Sequence, residues 1–259
     1  MDHEHVTQQP FSRRAFLAGT GGFLAGAALG SRLLGAVGLA APAQAEPPAW
    51  PWPYTPVDVD VARRKGYDLF WKGACCYGVA EAIVSQLREK VGHPYTGFTT
   101  DFFRYGEGGI TGWGTVCGAL NGAAAIISLV TADDRASLTD ELFGWYCNTP
   151  IPTPQTQPFG PPVGESTSGS PLCHISLSRW AEASGHAIGS KEHYERCAML
   201  TGDVAARTAE LLNEWHAGTF IPAYTAPKTV TTCMNCHGPA GELKDAFGKM
   251  DCVQCHEPH

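Results

Sequence analysis

Residues Val57 to Gly92 read "VDVDVARRKGYDLFWKGACCYGVAEAIVSQLREKVG", and Val79, Ile83, Leu87 and Val91 recur there at the 3.6-residue period of a helix. The stretch predicts two helices, broken or tightly packed near Gly73. Beyond it, "GITGWGTVCGALNGAAAIISLVT" from Gly109 to Thr131 predicts a buried helix whose small residues permit close approach. "DDRASLTDELFGWYC" from Asp133 to Cys147 predicts an amphipathic helix with Asp133, Asp134 and Ser137 as cap-like residues. "LCHISLSRWAEASG" predicts a short helix, and "SKEHYERCAMLTGDVAARTAELLNEWHAG" a long one, N-capped by Ser190, with Cys197, Leu200, Val204 and Leu211 on one face. Between these groups, residues 149–171 are rich in Pro, Gly, Ser and Thr and predict a long surface loop. No run alternates as a strand does, so the fold class is mainly α: a helical, cysteine-containing body with a short C-terminal segment.

That segment runs "CMNCHGPAGELKDAFGKMDCVQCHEPH" from Cys233 to His259. The spacing C-x2-C-x15-C-x2-C suits a zinc ribbon, but each pair is followed at once by a histidine, as covalent haem attachment requires. In the haem reading Cys233 and Cys236 form thioethers to one macrocycle and His237, held by a short turn, ligates its iron, with Cys252, Cys255 and His256 repeating the arrangement. Zinc leaves both histidines as coincidences. The sixth ligands are sought among the remaining histidines: His216 and His193 on a helix, His186, and His259 for the other haem or a partner subunit. Two haem c per chain follow.

The other end agrees on the compartment. "FSRRAFLAGTGGFLAGAALG", with Ser12, Arg13, Arg14, Phe16 and Leu17, matches a twin-arginine export signal, and Ala43-Gln44-Ala45 a cleavage site. Residues 1–45 are therefore expected to be a signal peptide, 46–217 the helical redox body, and 218–259 the linker and dihaem tail. The mature 214 residues carry fifteen basic and twenty-three acidic side chains, a formal charge of −8. That excludes a nucleic-acid partner, and removal of the leader leaves no stable membrane insertion. The expected location is the periplasm.

Six cysteines remain in the body: Cys75, Cys76, Cys117, Cys147, Cys173 and Cys197. In an exported protein they suit either disulfides or an iron–sulfur site gathered from several helices. "GACCYGVAEAIV", "GGITGWGTVCGALNGAAA", "SPLCHISLSRWAEASG" and "ERCAMLTGDVAARTAELLN" together resemble the C_GCAxxG_C_C family of redox-active proteins. With the two C-x-x-C-H motifs, residues 57–259 resemble the split-Soret type of cytochrome c. The resemblance implies a homodimer, two closely packed haems per subunit with histidine on both faces, and a [2Fe–2S] cluster on Cys75, Cys117, Cys173 and Cys197. Cys76 adjoins Cys75 and is the alternative ligand there. A cluster inserted in the cytoplasm also explains a signal for export of folded protein.

The function expected is that of a periplasmic dihaem c-type cytochrome in electron transfer with redox partner proteins, rather than an enzyme. The alternatives are a haem-based oxidoreductase with an open iron, served by His174 or Tyr77, and a module docking a partner reductase through residues 149–171.

Overall fold

The computed structural model describes residues 48–258; the expected signal peptide, residues 1–45, and the candidate ligand His259 lie outside the described residues. Pro48–His259 forms one compact unit. Its described residues hold six α-helices and no strand: α1 (Val59–Lys90), α2 (Gly118–Thr131), α3 (Arg135–Asn148), α4 (Cys173–Ser184), α5 (Lys191–His216) and α6 (Lys228–His237). The fold class is thus mainly α, as the periodicities predict.

Helix α1 starts at Asp58, whose side chain accepts from the Val61 amide, and it breaks where the sequence predicts. Gly73 (φ −156°) and Ala74 (φ 62°, ψ −171°) leave the helical region, and Ala74 occupies backbone space that L-residues rarely enter. Arg104 donates to the carbonyl of Lys72 that the break exposes, and its guanidinium lies over the Tyr77 ring at 4.7 Å. A Cβ at Gly73 would stand 2.5 Å from that same ring, so the break needs glycine. The consequence is positional: Cys75 and Cys76 open a new helical segment rather than lie in mid-helix.

Helices α1 and α5 form the main packed pair, and α2 lies against both. Gly66 and Gly202 face each other where the α1 and α5 backbones meet: a Cβ at Gly66 would reach Thr201 O at 2.9 Å and the Gly202 Cα at 3.0 Å. The buried faces carry Val79, Ile83 and Leu87 from α1, Leu120, Ile126 and Ile127 from α2, and Leu200, Val204 and Leu211 from α5. Ser190 caps α5 by accepting from the His193 amide at 3.2 Å, and Gly185 ends α4 in the left-handed conformation at φ 75°.

Three expectations need correction. The buried helix begins at Gly118, not Gly109: residues 108–114 carry positive φ at Gly108, Gly109, Ile110, Thr111, Gly112 and Gly114, which no helix accommodates. Residues 149–171 are not simply a surface loop. Asp203, 1 % exposed on α5, accepts from the Thr153 amide at 2.8 Å, from the Thr153 and Thr156 hydroxyls and from Arg63, drawing Thr156 fully inside. Finally, Cys233, Cys236 and His237 lie on the last turns of α6 rather than in a short turn.

Candidate redox centres

Cys117 and Cys173 are brought side by side by backbone pairing. Cys117 N donates to Pro171 O at 2.8 Å and Cys173 N to Thr115 O at 2.7 Å, around an isolated bridge between Val116 and Leu172. Cys117 sits at the N-cap of α2 and Cys173 opens α4; Cys75 follows the break in α1. Three thiols therefore stand where helical segments begin, at amide-rich ends that favour an anion. Cys197 comes from within α5, next to Arg196.

All four line one cavity of about 530 Å³, with Tyr146, His174, His193 and Arg196 among its walls. Cys76 and Cys147 do not. The Cys76 sulfur packs on Gly106, where a Cβ would come within 2.5 Å, and its residue is fully buried in the core. Of the two neighbours, Cys75 is therefore the one that lines the cavity. Glycines clear the space: a Cβ at Gly118 would come within 2.5 Å of the Cys75 sulfur, and one at Gly109 within 2.9 Å of the Cys173 Cβ.

Among the described residues, no three Cys, His, Asp or Glu side chains converge as a single ion would demand. The donor set instead suits a group of several atoms, with thiolates spread around it, as in a two-iron cluster held by four cysteines. Burial pushes the Cys173 thiol up to about 12 and raises Cys75 and Cys197, with the neighbouring Cys117 adding to all three. Burial here outweighs the helix ends, so an iron group must displace protons as it binds. The buried guanidinium of Arg196 is the compensating charge: it is 2 % exposed, its Nη2 donates to Ser176 Oγ at 2.8 Å, and its Nε has no hydrogen-bond partner.

The second centre is the tail. On α6 the positions of Cys233, Cys236 and His237, spaced i, i+3 and i+4, share one helix face. His237 Nδ1 lies 2.8 Å from Asp245 Oδ1, a contact that makes Nε2 the metal-binding nitrogen. The second motif occupies a 3-10 turn, Cys252–Gln254, capped by Asp251, which also accepts from Thr229 Oγ1 at 2.6 Å and so ties the two motifs together. Lys249 pairs with Asp140 at 2.6 Å and Gln254 donates to Gly169 O, fixing the tail to α3 and to the loop before α4. Leu243, Phe247, Met250 and Val253 remain exposed, Phe247 at 95 %. Such a set of uncovered apolar side chains beside two attachment motifs suits large planar groups that would cover it.

The distal candidates are dispersed. His193 faces the cysteine cavity with its Nδ1 accepting from the Gly189 amide at 3.0 Å, and burial lowers its pKa. His186 stacks on Trp180 with centroids 6.0 Å apart. His216 is exposed at the end of α5, its ring 5.6 Å from that of Tyr54. The sequence reading missed Arg196, Ser176, Tyr146 and Asp245. Arg196 at least adjoins a marked cysteine, whereas nothing in the spacing singles out the other three.

Comparison with known proteins places these sites in context. Residues 75–211 match the model of the C_GCAxxG_C_C family, described as redox-active proteins. The split-Soret cytochrome c of Desulfovibrio desulfuricans is 35 % identical over 263 aligned positions, covering 94 % of each chain. A solved structure, described as showing a novel iron centre in the split-Soret cytochrome c of that organism, matches with a TM-score of 0.73 and 34 % identity. It covers 80 % of this chain and 91 % of the other.

Proposed function

The chain belongs to the C_GCAxxG_C_C family of redox-active proteins, among the split-Soret cytochromes c, and from that premise we propose that it is a periplasmic electron carrier with two c-type haems and a [2Fe–2S] cluster. The observation that carries this reading is the doubled C-x-x-C-H motif held as one tied unit, with His237 oriented by Asp245. When bound, the haems and the cluster supply one-electron redox chemistry.

The protein's own residues attach, orient and shield. Cys233, Cys236, Cys252 and Cys255 would hold the macrocycles, and His237 and His256 would ligate iron. The hydrogen bond from Thr229 to Asp251 keeps the two attachment motifs adjacent, which supports a short path for an electron between groups held there. Distal imidazoles would be drawn from His216, His193, His186 and His259, closing both faces of the iron. Cys75, Cys117, Cys173 and Cys197 would hold the cluster in a cavity cleared by glycines and bounded by buried side chains.

Export by the twin-arginine route is supported by the leader sequence, and no described helix is long and apolar enough to cross a membrane. A homodimer docking redox partner proteins is supported by the exposed aromatic residues Trp71, Phe102, Tyr105 and Trp113, the last 83 % exposed. The acidic charge argues against nucleic acid.

Carbon monoxide added to the dithionite-reduced protein tests carrier against open-iron enzyme. The carrier reading predicts an unchanged haem spectrum on mixing. An immediate shift of the Soret band, reporting an open iron, would replace it with the oxidoreductase reading.

A further inference from the structure

Arg196 is a cation in the wrong place for a purely structural role. It is 2 % exposed, and among the described residues no carboxylate pairs with it. Burying an uncompensated guanidinium is costly, so the site is built for a negative charge. The candidates for that charge are the sulfurs around it. Arg196 lines the same cavity as its chain neighbour Cys197, and its Nη2 donates to Ser176 Oγ at 2.8 Å. Tyr146, fully buried, donates to the same Ser176 Oγ at 2.9 Å and lines that cavity together with Cys117. One network therefore forms part of the cavity wall that the four thiols share, and the Nε of Arg196 still has no partner.

We propose that Arg196, with Tyr146 and Ser176, is a positioning device that holds a fixed positive charge and hydrogen-bond donors against the Cys197 and Cys117 sulfurs, raising the reduction potential of the iron group they carry. The inference rests on the reading of the cavity as an iron–sulfur site. Reduction adds one electron to that group and breaks no bond, so a nearby cation stabilises the more negative, reduced form. Donors to sulfur act in the same direction by drawing charge from the thiolates. The burial of Arg196 and Tyr146 strengthens both effects.

The test is a mediated dithionite titration of the purified full-length holoprotein, followed by low-temperature EPR, with non-haem iron counted and the haem bands as internal control. Arg196→Gln should favour the oxidised form at least tenfold, about 59 mV for a one-electron couple, with haem potentials unmoved. Arg196→Lys, which keeps the charge, should restore most of the difference, and Tyr146→Phe should give a smaller shift of the same sign. An unshifted potential in iron-replete Arg196→Gln overturns the proposal, as does an equal shift in the Lys and Gln variants, which would mean fit rather than charge. If neither Arg196 variant retains iron, Tyr146→Phe decides, and an unchanged potential there overturns the network. A wild-type protein without non-haem iron defeats the underlying reading of the cavity, and the proposal with it.

Discussion

Asp245 lies eight residues beyond His237, yet its carboxylate meets the imidazole Nδ1 at 2.8 Å. A carboxylate at that nitrogen makes the other a stronger donor to iron and favours the ferric state. The second motif differs: among the described residues His256 pairs with no carboxylate, so haems held at the two proposed attachment motifs should not be equivalent. Asp245→Asn is predicted to leave both haems attached and to raise the potential of one of them, read by spectroelectrochemistry. The shift should be modest because Asp245 is 60 % exposed and solvent screens it. Identical potentials in variant and parent would deny Asp245 this role. The two C-x-x-C-H motifs were legible from spacing alone, because each is a pattern local to the chain. Asp245, Arg196, Ser176 and Tyr146 were not, since each acts through a contact that forms only when distant chain is folded together.

At the scale of elements, the positions of helix starts decide what the cavity holds. The break at Gly73 and Ala74, the N-cap of α2 at Cys117 and the first residue of α4 at Cys173 turn three thiols toward one space. Gly118 keeps that space open: a Cβ there would collide with the carbonyl of Gly106 as well as the Cys75 sulfur. Gly118→Ala should cost about 1–3 kcal/mol in chemical denaturation, as overpacking does, and lower non-haem iron content. Gly97→Ala is the control, because nothing lies within 4 Å of a Cβ there. Equal behaviour of the two variants would show that the close approach at Gly118 has no bearing on the cavity. The helices themselves were readable from apolar periodicity and from Ser190 and Gly73. Residues 109–117 misled because a glycine-rich, apolar stretch suits either a buried helix or a loop of positive-φ turns. Residues 149–171 misled because their composition predicts irregular backbone without revealing that a buried carboxylate, Asp203, takes up their hydrogen bonds.

On the scale of the whole molecule, the two centres differ in construction. The body's thiols lie within a packed core whose side chains are fixed from several helices, whereas the tail carries its attachment residues on one short helix and one 3-10 turn, pinned by Lys249 and Gln254. That division suits cofactors that arrive separately, one built into the folding body and the others attached to an exposed segment. In the proposed reading the exposed apolar side chains of the tail, Phe247 above all, would be the contact surface of those attached groups. The central claim is that this tail carries two covalently bound haems. Intact-mass spectrometry of the mature protein, after denaturation and acid–acetone extraction, tests it most directly: the account predicts a mass excess of two haem groups over the polypeptide and a retained haem spectrum. A colourless chain of polypeptide mass, releasing zinc, would contradict it.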